Sequence, residues 1–144
     1  MANISELSIY HNALELSNKI WSICLKWNSF AQNTVGYQIV KAADSISANL
    51  AEGYGRFHIK DNIHFCYYSR GSLEETKDWL RKSKARKLIS ENTYHELSDE
   101  IIIIAKQLNK YITSLKKKLH QLSQSRTMNQ ETSTKPEVFT CSPG

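Results

Sequence analysis

Apolar residues recur at steps of three and four through most of this chain, the spacing of one face of an α-helix. The first run reads Ile9, Ala13, Leu16, Ile20, Ile23 or Cys24, and Trp27, and predicts a helix from about Leu7 to Trp27. Leu14, Trp21 and Leu25 form a second stripe on a neighbouring face. "NSFAQNT", residues 28–34, is rich in capping side chains and predicts a turn. A second helix follows from about Val35 to Tyr54, with Val35, Ile39, Ala42, Ile46, Leu50 and Gly53 in phase. A third, about 59–87, carries Ile63, Cys66, Leu73 and Leu80, with Phe65, Ser72 and Trp79 as a parallel heptad row. "ISENTY" predicts the next turn, where Ser90 or Thr93 can cap, and Thr93 with Glu96 has capping-box spacing. The fourth helix, about 93–120, has the cleanest register: Leu97, Ile101, Ile104, Leu108, Tyr111 and Leu115. Its acids come early and its lysines late, which suits the helix dipole.

After His120 the apolar period is lost, so 121–144 is expected to be a disordered tail and 1–120 the folded domain. Short connections make sequential helices antiparallel, and the economical architecture is all-α, an up-down-up-down four-helix bundle. Both prolines, Pro136 and Pro143, fall in the last nine residues, and only five glycines occur, which favours long helices.

Folding the second helix back on the third about a turn near Phe57–Ile59 sets Lys41 opposite Glu75, Ser45 opposite Gly71 and Ser72, and Glu52 opposite His64. Small residues meeting at Ser45 and Gly71 predict a close backbone approach there, and Lys41 with Glu75 an interhelical ion pair. Asn49, Glu52 and Arg56 share one face of the second helix. Gly53 admits a close neighbour, and Gly55 is expected to end the helix at positive φ.

The segment "SISANLAEGYGR", 45–56, followed by "RGSLEE" at 70–75, resembles the signature of the 23S ribosomal-RNA intervening-sequence family. That signature is an S-x-x-A-N-[IL]-A-E-G-x-G-R block, an aromatic-rich stretch, then G-S-L-x-E, and the resemblance spans about residues 7–118. Asn49, Glu52, Gly53, Gly55, Arg56, Ser72 and Glu75 stand at its polar and glycine positions. Lys41 stands where arginine is commoner, and Ser47 where proline often occurs. The resemblance implies a left-handed antiparallel bundle that assembles as a homopentamer. It also implies kinship with accessory proteins of diversity-generating retroelements, which bind nucleic acid and a reverse transcriptase.

The double stripes agree with self-association. One face per helix fills a bundle core, so Leu14, Trp21 and Leu25, or Phe65 and Trp79, are expected to need cover from another subunit.

The net charge is +5, and because 121–144 holds two cations (Arg126, Lys135) and two anions (Glu131, Glu137), the excess lies entirely within 1–120. "WLRKSKARK" places Arg81, Lys82, Lys84, Arg86 and Lys87 in a collar around the end of the third helix. Lys116, Lys117 and Lys118 end the fourth, at the opposite end of the bundle, and Lys41, Arg56 and Lys60 are placed nearer that second cluster. Repeated around a ring, such patches suit phosphate contacts, which supply salt-sensitive affinity without base reading. The expected partner is nucleic acid, RNA or an RNA–DNA intermediate. The alternative is a protein-interaction scaffold, or an accessory subunit without direct nucleic-acid binding, docking a protein on the Asn49–Glu52–Arg56 row.

Catalytic chemistry finds no foothold. Asp61 with His64 is the one near miss to the paired Glu-x-x-His motifs of a di-iron bundle, and His11, His58, His95 and His120 are scattered. "EGYGR" lacks the third glycine and the lysine of a phosphate loop. No nucleophile, base and acid come together in any defensible arrangement. The expectation is a protein without catalytic residues, metal or cofactor. Cys24, Cys66 and Cys141 show no metal spacing and read as reduced thiols in the cytoplasm. "IIII", 101–104, is flanked by charges and does not span a membrane.

Overall fold

In a computed structural model, which describes residue 4 and residues 7–133, four helices form an antiparallel bundle. We number them α1 (Ser8–Cys24), α2 (29–54), α3 (Ile59–Ala85) and α4 (Glu91–Ser133). Each packs on its neighbours in sequence, and α1 closes the square against α4. One end of the bundle holds the α2–α3 turn and the lysine-rich part of α4; the other holds the α1–α2 and α3–α4 turns.

The segment 28–34, predicted as a turn, is already helical. Asn28 accepts a hydrogen bond from the Ala31 N–H at 2.9 Å, which caps a first turn at Ser29–Ala31. A wide π-turn, Gln32–Gly36, leads without a break into Tyr37–Tyr54. The Gln32 amide reaches back to the carbonyls of Cys24 and Leu25, both at 3.1 Å, and so caps α1 three residues before the expected end at Trp27. Polar residues were legible as caps; that they cap two helices at once was not.

Among the described residues, nineteen buried ones form one continuous core, drawn mostly from the predicted stripes of all four helices; Ala43 and Ile112 join it from outside those stripes, and Tyr111, expected in it, is half-buried at its edge. Leu16, Ile20, Ile39, Ile46, Leu50, Leu73, Leu80, Ile101, Ile104 and Leu108 are all essentially inaccessible. Burial of each such side chain stabilises the fold by about 1.5–3 kcal/mol. The α2–α3 seam is different. Asn62, Ser69, Thr76 and Ser83 are buried at heptad spacing along α3, and each has a hydrogen-bond partner within the chain. Ser69 Oγ donates across the seam to the Ile46 carbonyl at 2.7 Å, while Thr76 and Ser83 bond back to carbonyls four residues earlier.

The close approach of α2 and α3 falls at Gly53, against Asn62 and Phe65, not at the expected Ser45–Gly71 pair. Gly71 has nothing within 4 Å of its would-be Cβ, whereas at Gly53 that atom would lie 2.6 Å from Asn62 Oδ1 and 2.8 Å from Phe65 Cβ. Gly55 departs from expectation too: it caps α2 at φ −77°, a right-handed conformation open to any residue. Lys41 forms no ion pair with Glu75. Its ammonium lies 5.9 Å from the Tyr37 ring centroid on its own helix, and Glu75 is exposed.

Among the described residues, the one with positive φ is Lys87, at 60°. It closes α3 in a two-bond cap: the Lys87 N–H donates to Lys84 and the Leu88 N–H to Ser83, at 3.0 and 2.9 Å. A Cβ in that region costs about 1–2 kcal/mol, partly offset by the entropy glycine loses on folding. Lys87→Gly is therefore expected to raise stability by about 0.5–1 kcal/mol, read from the denaturation midpoint; an unchanged or lower midpoint contradicts the assigned cap.

The loop after this cap is held by Trp27, whose indole N–H donates to the Leu88 carbonyl at 3.0 Å. Ser90 then caps α4 through the Thr93 N–H at 3.1 Å, so the helix begins at Glu91, two residues before expectation. Its other end is the larger correction. The apolar period does lapse after His120, yet the helix continues to Ser133, with 121–132 exposed on every side. No proline or glycine interrupts it before Pro136, and Gln, Leu, Met and Arg are good helix formers. Loss of a buried stripe removed the reason to pack, not the ability to be helical. Residues 134–144, with Cys141, lie outside the described residues.

Candidate functional site

The predicted basic collar is partly neutralised. Lys82 pairs with Asp78 at 2.7 Å and Lys84 with Glu91 at 3.7 Å, and their ammonium groups lie over the rings of Trp79 and Tyr94. The neighbouring Lys82 charge, through its hydrogen bond, holds the Asp78 carboxyl below its ordinary value. Arg81, Arg86 and Lys87 are exposed and form no ion pair among the described residues. At the opposite end, Arg56 is matched by Glu52 at 2.7 Å and rests 4.9 Å from the Phe65 ring centroid. The Asn49–Glu52–Arg56 row is thus an internal ion pair beside a half-buried Asn49, and Ser72 contributes its carbonyl to Thr76.

Lys41 does not join Arg56 and Lys60, contrary to expectation. It lines a groove with Trp21, Leu25 and Tyr37. Helical rise separates residue 41 from 56 by roughly 22 Å.

The strongest convergence of free cations involves a residue the sequence reading did not single out. Arg70 on α3 and Lys116 on α4 both approach Tyr67, at 4.9 and 5.7 Å from its ring centroid. Neither forms an ion pair among the described residues; Glu74, one turn beyond Arg70, is taken by Lys77 at 2.9 Å. Lys60, Lys117 and Lys118 are exposed at the same end. Arg70 was hidden because it stands just before the G-S-L-x-E motif at a position the signature does not specify, outside every run of cations. Its i−3 relation to Tyr67 was the available signal.

Glu74, Glu75 and Asp78 separate this surface from the collar along the exposed side of α3. The bundle therefore carries two distinct basic surfaces, one at each end. Cations over aromatic rings keep their charge while their stems are ordered, which leaves them available to an anion at low entropic cost.

The expected second apolar stripe is present only in part. Trp79 and Phe65 are half-buried within the single chain, under Lys82 and Arg56. Trp21 and Leu25 are 54% and 60% exposed and line the groove of about 470 Å³ with Tyr37 and Lys41.

Cys24 and Cys66 are buried among apolar side chains, which pushes both thiols up to about 11. At pH 8 only about 0.1% of each is thiolate. Brief treatment of the native protein with iodoacetamide at that pH is expected to leave both unmodified by peptide mass, and unfolding to expose both; native labelling of either contradicts the packing. Among the described residues, no three His, Cys, Asp or Glu side chains gather as a metal site, and no helix is long and apolar enough to cross a membrane.

These features define an all-α bundle with cationic ends. Residues 5–110 match the 23S rRNA-intervening sequence proteins, and the chain belongs to that family. Among solved structures it is similar to a protein of unknown function from the S23 ribosomal protein family of Bacteroides thetaiotaomicron VPI-5482. The two share 22% identity over 73% of this chain and 95% of the other, with a TM-score of 0.66, a likeness of fold. No curated protein matches the chain.

Proposed function

We propose that this protein is a non-enzymatic, homo-oligomeric helical bundle that binds nucleic acid, RNA or an RNA–DNA intermediate, through its repeated basic surfaces in the cytoplasm. The observation that carries this reading is the meeting of Arg70 and Lys116 over Tyr67 without a carboxylate partner. Two helices contribute to that contact, so its geometry is held by the fold and not by one flexible end. The exposed Trp21–Leu25 groove supplies an apolar surface for a second copy, and the ring of five implied by the family resemblance is the form proposed. The scaffold alternative loses ground because Glu52 and Arg56 satisfy each other.

Phosphate contacts release counterions, so affinity for a labelled RNA should fall steeply with salt, by roughly 0.7–0.9 in logarithmic slope per contact. Arg70→Gln with Lys116→Gln is expected to lower that slope by at least ~1. Glu75→Gln should leave it nearly unchanged. A slope of zero in the parent protein, or an unaltered slope in the double variant, contradicts the proposal.

A further inference from the structure

The unexpected extension of α4 creates a feature that joins residues beyond 110 to the α2–α3 turn. Its overhang faces the α2–α3 turn across a notch of about 810 Å³, a volume in the range of small-molecule sites. Phe57, on the turn, is 93% exposed within this lining and meets His58 edge-on, with ring centroids 5.1 Å apart. Leu119 and Leu122 form an apolar wall on α4. Lys60 and Arg126 line the notch from α3 and α4 and form no ion pair among the described residues, against one carboxylate, Asp61.

An aromatic ring left in water beside an apolar wall and two free cations is the combination that holds an unpaired base and its phosphates. The ring and leucines receive the base, and the cations receive the flanking backbone. A duplex keeps its bases stacked internally and has no free face to offer Phe57.

We infer that the notch is a binding site for single-stranded nucleic acid, with a base stacked on Phe57 and its phosphates at Lys60 and Arg126. This rests on the proposed nucleic-acid function and adds strand selectivity to it. Phe57 carries no charge, so its effect is separable from that of the Arg70–Lys116 surface.

The test uses the full chain with labelled oligouridine and a duplex RNA of equal length. Phe57→Ala is expected to weaken the single strand about tenfold and leave the duplex unchanged. Arg126→Gln should weaken the single strand and reduce its salt slope. If the parent protein binds the duplex while Phe57→Ala leaves the single strand unaffected, the notch assignment is overturned and the broader function stands. If the parent binds neither, both are overturned. Should Phe57→Ala change the sedimenting mass instead of strand preference, the notch is a subunit contact and the inference is wrong.

Discussion

Gly53→Val is expected to destabilise the bundle by about 3 kcal/mol, and Gly53→Ala by about 1–2 kcal/mol, as read by chemical denaturation. Helix propensity opposes this, since alanine is favoured over glycine by about 1 kcal/mol in a helix interior. Geometry decides the sign. The new Cβ would lie 2.8 Å from Phe65 Cβ and 3.1 Å from the Asn62 carbonyl, atoms that move only with the α3 backbone. Asn62 Oδ1, at 2.6 Å, is no easier to displace: its side chain is buried and donates to the Tyr111 hydroxyl at 3.1 Å. Gly55, two residues on, serves as the control. Its Cβ would meet carbonyls at ordinary distances of 3.6 and 3.7 Å, so Gly55→Ala should lie within about 0.5 kcal/mol of the parent. Equal penalties at the two positions would contradict the close α2–α3 crossing.

Trp21→Gln with Leu25→Gln is the substitution expected to separate assembly from folding. Both side chains are more than half exposed in the single chain, so the monomer should keep its stability to within about 1 kcal/mol. If the groove seats a second copy, two polar amides there should dissociate the assembly in sedimentation velocity. RNA affinity should fall with it, on the order of 10–100-fold, because linked binding surfaces become independent ones. The substitution leaves Arg70, Lys116 and Arg126 in place, so residual binding by the monomer reports the intrinsic strength of one set of contacts. An assembly of unchanged mass would remove Trp21 and Leu25 from the interface.

The fold was legible because its core is apolar and strictly periodic. Leu97, Ile101, Ile104, Leu108 and Leu115 recur at helical steps on α4, and every one of them is buried. Legibility failed where packing is done by small polar residues. Ser69, Thr76 and Ser83 look solvated in the sequence, yet they are buried along α3 because their hydroxyls find carbonyl acceptors, Ser69 across the seam on α2 and the other two on α3 itself. The candidate site was less visible still. Counting cations along the chain identified Arg81–Lys87 but not the carboxylates that neutralise two of them. Arg70 needed three dimensions to meet Lys116, 46 residues away. The overhang of α4 went unseen because periodicity registers burial, and an exposed helix has none.

Sedimentation velocity of a labelled RNA with the full chain, at low and then high salt, tests the central claim most directly. At low salt the RNA is expected to move with a protein species several times the 16.6 kDa chain mass, and at high salt to sediment alone while that species persists. Protein at the mass of a single chain, or RNA travelling free at low salt, would contradict it.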